Sequence, residues 1–136
     1  MKPLEGIRVV DLSTMLAGPM TCRILAEWGA DVIKVETMDG DAWRKQAGTT
    51  MCPCTANANP NFDMQNLNKR FVALNMRTPA GHEAMMKLLE RADVLVTNFR
   101  VQALEGMGLA YEQLKDRFPR LIHASVLGYG VEGPDK

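Results

Sequence analysis

The sequence predicts an α/β fold built on a mostly parallel sheet, and three observations predict it. Residues 7–36 read as strand, turn, helix, strand, with apolar runs at either end (Ile7, Val9, Val10, Leu12, then Val32, Ile33, Val35) and Gly18-Pro19 between them. Such a unit closes as a right-handed βαβ crossover. Short apolar runs then alternate with helical periodicities in the order βαβ, loop, βαβ, αβ, the signature of a Rossmann-like sheet with flanking helices. The first turn therefore falls at the carboxyl end of the first strand, where open α/β sheets place their ligands.

Each element has its own warrant. Pro19 suits a first helical position, where its missing N–H has no intrahelical partner, and Gly18 permits close approach or an unusual φ. The helix is expected to run to about Trp28 through Met20, Ile24 and Leu25, with Gly29 as its stop. Residues 37–68 change character, polar and broken by Gly48, Pro53 and Pro60. A loop of that length inside a compact domain is usually functional or bound to a partner. A third strand follows at 71–74. Thr78 then caps a helix with Pro79 at its first position, and Met85, Leu88, Leu89 and Ala92 form the stripe of a helix lying on a sheet. That Met-containing stripe reads as core. A fourth strand spans Val94–Thr97. Ala103, Leu104 and Met107 give a short helical stripe punctuated by Gly106 and Gly108, a further helix spans about 111–117, and a last strand covers 121–126.

Composition excludes several classes. The formal net charge is +0, from 16 basic and 16 acidic side chains, so neither a nucleic-acid surface nor a polybasic membrane anchor is expected. No apolar run approaches the roughly 18 residues of a membrane span, and residues 1–5 carry no signal-peptide core. Cys22, Cys52 and Cys54 make an odd number, which argues against a disulfide framework and for a reducing cytoplasm. Cys52-Pro53-Cys54 lacks zinc spacing, and no metal site is expected.

Motifs for chemistry are few. Neither a nucleophile elbow nor a P-loop is present. Ser13, Thr14 and Ser125 have no evident base partner, and a structural role is expected for them, for Asp11 and for both histidines. Gly128-Tyr129-Gly130-Val131-Glu132-Gly133 spells G-x-G-x-x-G, but Pro134 follows at once where a dinucleotide fingerprint needs a helix.

Together, PLxGxRVVDLS near the amino terminus, LAGP and LAxxGADVIKVE resemble the family III CoA-transferases. The likeness continues through Gly40-Asp41-Ala42-Trp43-Arg44, the phrases NLNKRFVALNMRTPAG and VTNFRVQALEGMGL, and the closing glycines, which match an ASVxGfGxxGP element. The resemblance implies an enzyme that moves CoA between an acyl-CoA and a small carboxylic acid. In that family an aspartate attacks the thioester to give an acyl–aspartyl anhydride, then an aspartyl–CoA thioester, dividing one exchange into easier acyl transfers. It also implies that CoA and acyl-CoA are substrates, with no tightly bound cofactor, and that subunits interlock as a homodimer. The family's aspartate lies downstream of the glycine element, and no residue here aligns with it. The 136 residues are thus expected to be the amino-terminal part of the CoA-binding domain of a longer enzyme, lacking the small domain and the catalytic segment and inactive alone. By position, the resemblance assigns CoA contacts to Thr14, Met15, Leu16 and Ala17 after the first strand and to Leu74 and Arg77 after the third. After the fourth it assigns Asn98, Phe99, Ala103 and Met107. Leu16 stands where relatives carry an amide side chain, and Thr37 and Gly106 where some carry phosphate-binding arginines. Core packing is the blander reading of Phe99, Ala103 and Met107, and for Ala103 it is nearly as good. Two alternatives share the pattern: an acyl-CoA racemase, whose relatives often read PGP where this chain reads Ala17-Gly18-Pro19, and a non-catalytic CoA-binding segment.

Overall fold

The computed structural model describes residues 1–45, 54–55 and 58–130. Five strands, β1 (Arg8–Leu12), β2 (Asp31–Glu36), β3 (Arg70–Ala73), β4 (Val94–Thr97) and β5 (Ile122–Ser125), form one parallel sheet in the order β3-β2-β1-β4-β5. The helices are α1 (Ala17–Glu27), α2 (Pro60–Asn66), α3 (Pro79–Leu89), α4 (Val101–Gly106) and α5 (Tyr111–Leu114), with a 3₁₀ turn at Ala42–Lys45. Strand order reverses between β1 and β4. The chain winds one way from β1 to β3 and the other way from β4 to β5, the doubly wound arrangement.

Side-chain alternation along each strand sorts two cores. Val9, Val32 and Val96 meet Cys22, Ala26 and Ala30 on the α1 face. Val10, Leu12, Val35 and Leu95 meet Met85, Met86, Leu89, Leu104 and Leu114 on the face covered by α3, α4 and α5. Met85 and Leu89 are fully buried, and Leu88 and Ala92 pack against the same cluster, so the stripe of α3 is core as its spacing implies.

Several boundaries differ from the sequence reading. Helix α1 begins at Ala17, two residues before Pro19, which is thus its third residue. An N–H at that position also lacks an intrahelical acceptor, so proline is accommodated there as well. Gly18 has no unusual φ; instead a Cβ on it would lie 2.4 Å from the Ser13 Cβ, so it serves close approach. Gly29, at φ +105°, ends α1 in the left-handed conformation. Helix α5 is one turn long, because the chain leaves the helix after Leu114. The stretch from 37 to 68 is no open loop where described. Pro60, a breaker in the sequence, is the first residue of α2, capped by the Asn59 side chain accepting from the Phe62 N–H at 3.0 Å. Gly48, Cys52, Pro53 and residues 131–136, including Gly133-Pro134, lie outside the described residues. Residues 126–130 contain no helix.

Candidate functional site

The loops leaving β1 and β4 meet where the strand order reverses, the place at which open α/β sheets take their ligands. The β1 loop, Ser13 to Leu16, is held from both sides. From β4, the Asn98 amide clasps it: Thr14 N–H donates to Asn98 Oδ1 at 2.9 Å, and Asn98 Nδ2 donates to the Thr14 carbonyl at 2.7 Å. From the β2 side, Asp41 Oδ1 accepts from Thr14 Oγ1 at 2.9 Å, Trp43 N–H at 2.8 Å and Met15 N–H at 3.4 Å. Met15 is pinned at φ 68°, a conformation that costs a non-glycine residue about 1–2 kcal/mol and persists only when its surroundings enforce it.

Two buried ion pairs stand beneath this loop. Lys34, wholly buried on β2, reaches Asp41 Oδ2 at 2.9 Å and the Ser13 carbonyl at 2.7 Å. Lys69, just before β3, reaches Asp11 Oδ2 at 2.8 Å, the Pro19 carbonyl at 2.7 Å and Asn66 Oδ1 at 2.8 Å. Asp11 Oδ1 takes the Ser13 hydroxyl and the Ser13 N–H. Burial alone would raise the Asp41 carboxyl, but the Trp43 N–H and the Lys34 ammonium outweigh it and hold the group below the usual carboxylate range. Desolvation lowers the Lys69 ammonium, against the pull of Asp11. The Cys22 thiol, driven far above its ordinary value by burial and then by Asp11, is an inert core group. Breaking either buried pair from one side would strand a charge at a cost of about 3–5 kcal/mol. Chemically, the network makes the base of the loop rigid and leaves neither Asp11 nor Asp41 available to react.

The residues assigned by resemblance fall into three groups. Thr14, Met15, Leu16 and Ala17 form the clasped loop with Asn98; Leu16 is 49% exposed, an apolar side chain open to solvent. Arg77 and Met107 come together in a separate open groove of about 520 Å³ between the segment after β3 and the end of α4. Leu74 and Phe99 sit half-buried against the core at the same carboxyl edge. Ala103 joins none of these. It is exposed on α4, whose buried residue is Leu104, so the core-packing alternative for Ala103 is corrected by the structure. Sequence reasoning missed Lys34 and Lys69 as organisers of the loop and Arg117 and His82 as groove residues. A lysine inside the apolar run DVIKVE was the one available signal. Among the described residues, no group of three or more His, Cys, Asp or Glu side chains is placed to hold a metal ion. No helix among the described residues is long and apolar enough to cross a membrane.

Comparison with known proteins agrees with this geometry. The model of CoA-transferase family III matches residues 4–136. Over 133 residues, 98% of this chain and 33% of the relative, the sequence is 48% identical to (R)-2-hydroxy-4-methylpentanoate CoA-transferase of Clostridioides difficile. It is 39% identical to cinnamoyl-CoA:phenyllactate CoA-transferase of Clostridium sporogenes, over 97% of this chain and 32% of that protein. A CAIB/BAIF family protein from Brucella suis superposes with a TM-score of 0.88 at 38% identity, covering 98% of this chain and 35% of its own. The chain thus spans about a third of the length of these relatives. With the family model matching across the sheet, the β1 loop and the groove, the chain belongs to CoA-transferase family III.

Proposed function

We propose that this chain is the amino-terminal part of the CoA-binding domain of a CoA-transferase that moves CoA between an acyl-CoA and a small carboxylic acid. The observation that carries the reading is the β1 loop at the strand-order reversal, fixed by Asn98 and Asp41 beside an open groove that holds Arg77 and Met107. In this reading the thioester lies at the β1 loop against Thr14–Ala17 and Asn98, with Leu74 and Phe99 beside it. The nucleotide end extends to Arg77 and Met107, and Ala103 contributes backbone shape only. Covalent transfer through an aspartyl anhydride and an aspartyl–CoA thioester supplies the chemistry. Both carboxylates beneath the loop are engaged in ion pairs, which supports a nucleophile outside these residues and an inactive isolated chain.

Both C. difficile and C. sporogenes relatives are transferases by name, which favours transfer over the racemase alternative. The acids in those names are hydroxy acids with apolar side chains, and the exposed Leu16 suits an acyl group with an apolar side chain in the same way. A cytoplasmic homodimer completes the proposal. The test is CoA exchange by the full-length protein with a panel of acyl-CoA donors and carboxylate acceptors. Exchange with hydroxylamine-sensitive labelling of an aspartate by the acyl group is expected. Proton exchange at the acyl α-carbon without transfer would overturn the reading in favour of a racemase.

A further inference from the structure

The groove beside α3 and α4 contains more positive charge than the residues assigned by resemblance supply. Its lining includes Arg77, His82, Met86, Met107, Gly108 and Arg117. Arg77 has no ion-pair partner among the described residues. Glu83, the acidic group on this lining, is held by Lys87 at 2.7 Å. Arg117 meets Glu90 at 3.3 Å, but both side chains are 54% exposed, and a pair that open to solvent is weak enough for the guanidinium to turn elsewhere. Gly106, on the same groove, offers no side chain and has no atom within 4 Å of where its Cβ would stand, so nothing blocks the space between the two arginines' segments.

We infer that Arg117 is a phosphate-binding residue, acting with Arg77 as a cationic pair that takes the phosphates of the CoA nucleotide. The inference rests on the CoA reading above and adds a residue to it. Guanidinium groups bind phosphate oxygens through paired N–H donors, and two on one groove suit a ligand with several phosphate charges. Met86 and Met107 supply polarisable walls against which a purine ring packs. Arg117 enters from the turn after α5, a segment whose sequence gives no hint of ligand contact.

Calorimetric titration of the full-length protein with CoA and with pantetheine, which lacks every phosphate, tests this. Arg117→Gln is expected to weaken CoA binding about tenfold, the loss of one charge-assisted contact, and to leave pantetheine binding unchanged. Glu90→Gln removes the same surface pair and is expected to retain CoA affinity. Unchanged CoA binding in Arg117→Gln, an equal loss for pantetheine, or an equal loss in Glu90→Gln would each overturn the assignment. A wild-type protein that bound no CoA would instead overturn the CoA reading itself.

Discussion

Asp41 joins two loops that the sequence separates by 25 or more residues. One of its oxygens gathers Thr14, Met15 and Trp43, and the other faces Lys34. Asp41→Asn keeps the shape and removes the charge, leaving the Lys34 ammonium buried without a counter-ion. A loss of about 3–5 kcal/mol in urea unfolding is expected. The pH dependence follows from the same carboxyl. Its folded value lies below the unfolded one, so its contribution is complete above about pH 4 and disappears as pH falls through the folded value. The wild-type advantage over Asp41→Asn should therefore shrink on acidification below about pH 4; an advantage that grew there would contradict the assignment. Gly18→Ala places a methyl 2.4 Å from the Ser13 Cβ and 2.6 Å from its Oγ, and a loss of about 1–3 kcal/mol is expected in thermal melts. Gly18 was legible as a residue of special backbone role, though the sequence could not choose between an unusual φ and a close approach. Lys34 was harder to read. Its partner lies seven residues on, in a turn, and only the folded loop shows that both are buried.

Among the elements, those with local signals were read most closely. Helix α3 carries its cap, its first-position proline and its apolar stripe in sequence, and it forms at Pro79–Leu89, with Gly81 N–H donating to Thr78 Oγ1 at 3.1 Å. Thr78→Ala should cost about 1 kcal/mol, and Met85→Ala, emptying a fully buried site, about 2–5 kcal/mol. Denaturant titration separates the two. Strand β4 was read to the residue because its apolar run is short and cleanly bounded. Helix α2 was missed for a physical reason. Proline marks helix starts as well as loops, and what decides at Pro60 is tertiary: Asn59 caps the helix while its amide donates to the Trp43 carbonyl at 3.0 Å. Strand β3 lies at the sheet edge, and Phe71 is 46% exposed with the Arg44 guanidinium 5.4 Å from its ring, so an apolar strand was legible but its open face was not.

At the scale of the molecule, the βαβ pattern implied a mostly parallel, Rossmann-like sheet, and the observed reversal between β1 and β4 then places the loop at the ligand position of such sheets. What no local pattern carries is the division of the carboxyl edge into a clasped loop and a separate basic groove, since Arg117 and Arg77 line one groove only because α3, α4 and α5 cover the same face of the sheet and share one core. On the proposed function, these two places receive the two ends of one CoA molecule. A crystal structure of the full-length protein with CoA bound tests it most directly. The thiol is expected at the β1 loop beside Asn98, and the nucleotide phosphates in the groove at Arg77. CoA seated on another face of the sheet, or with its thiol directed away from the β1 loop, would contradict it.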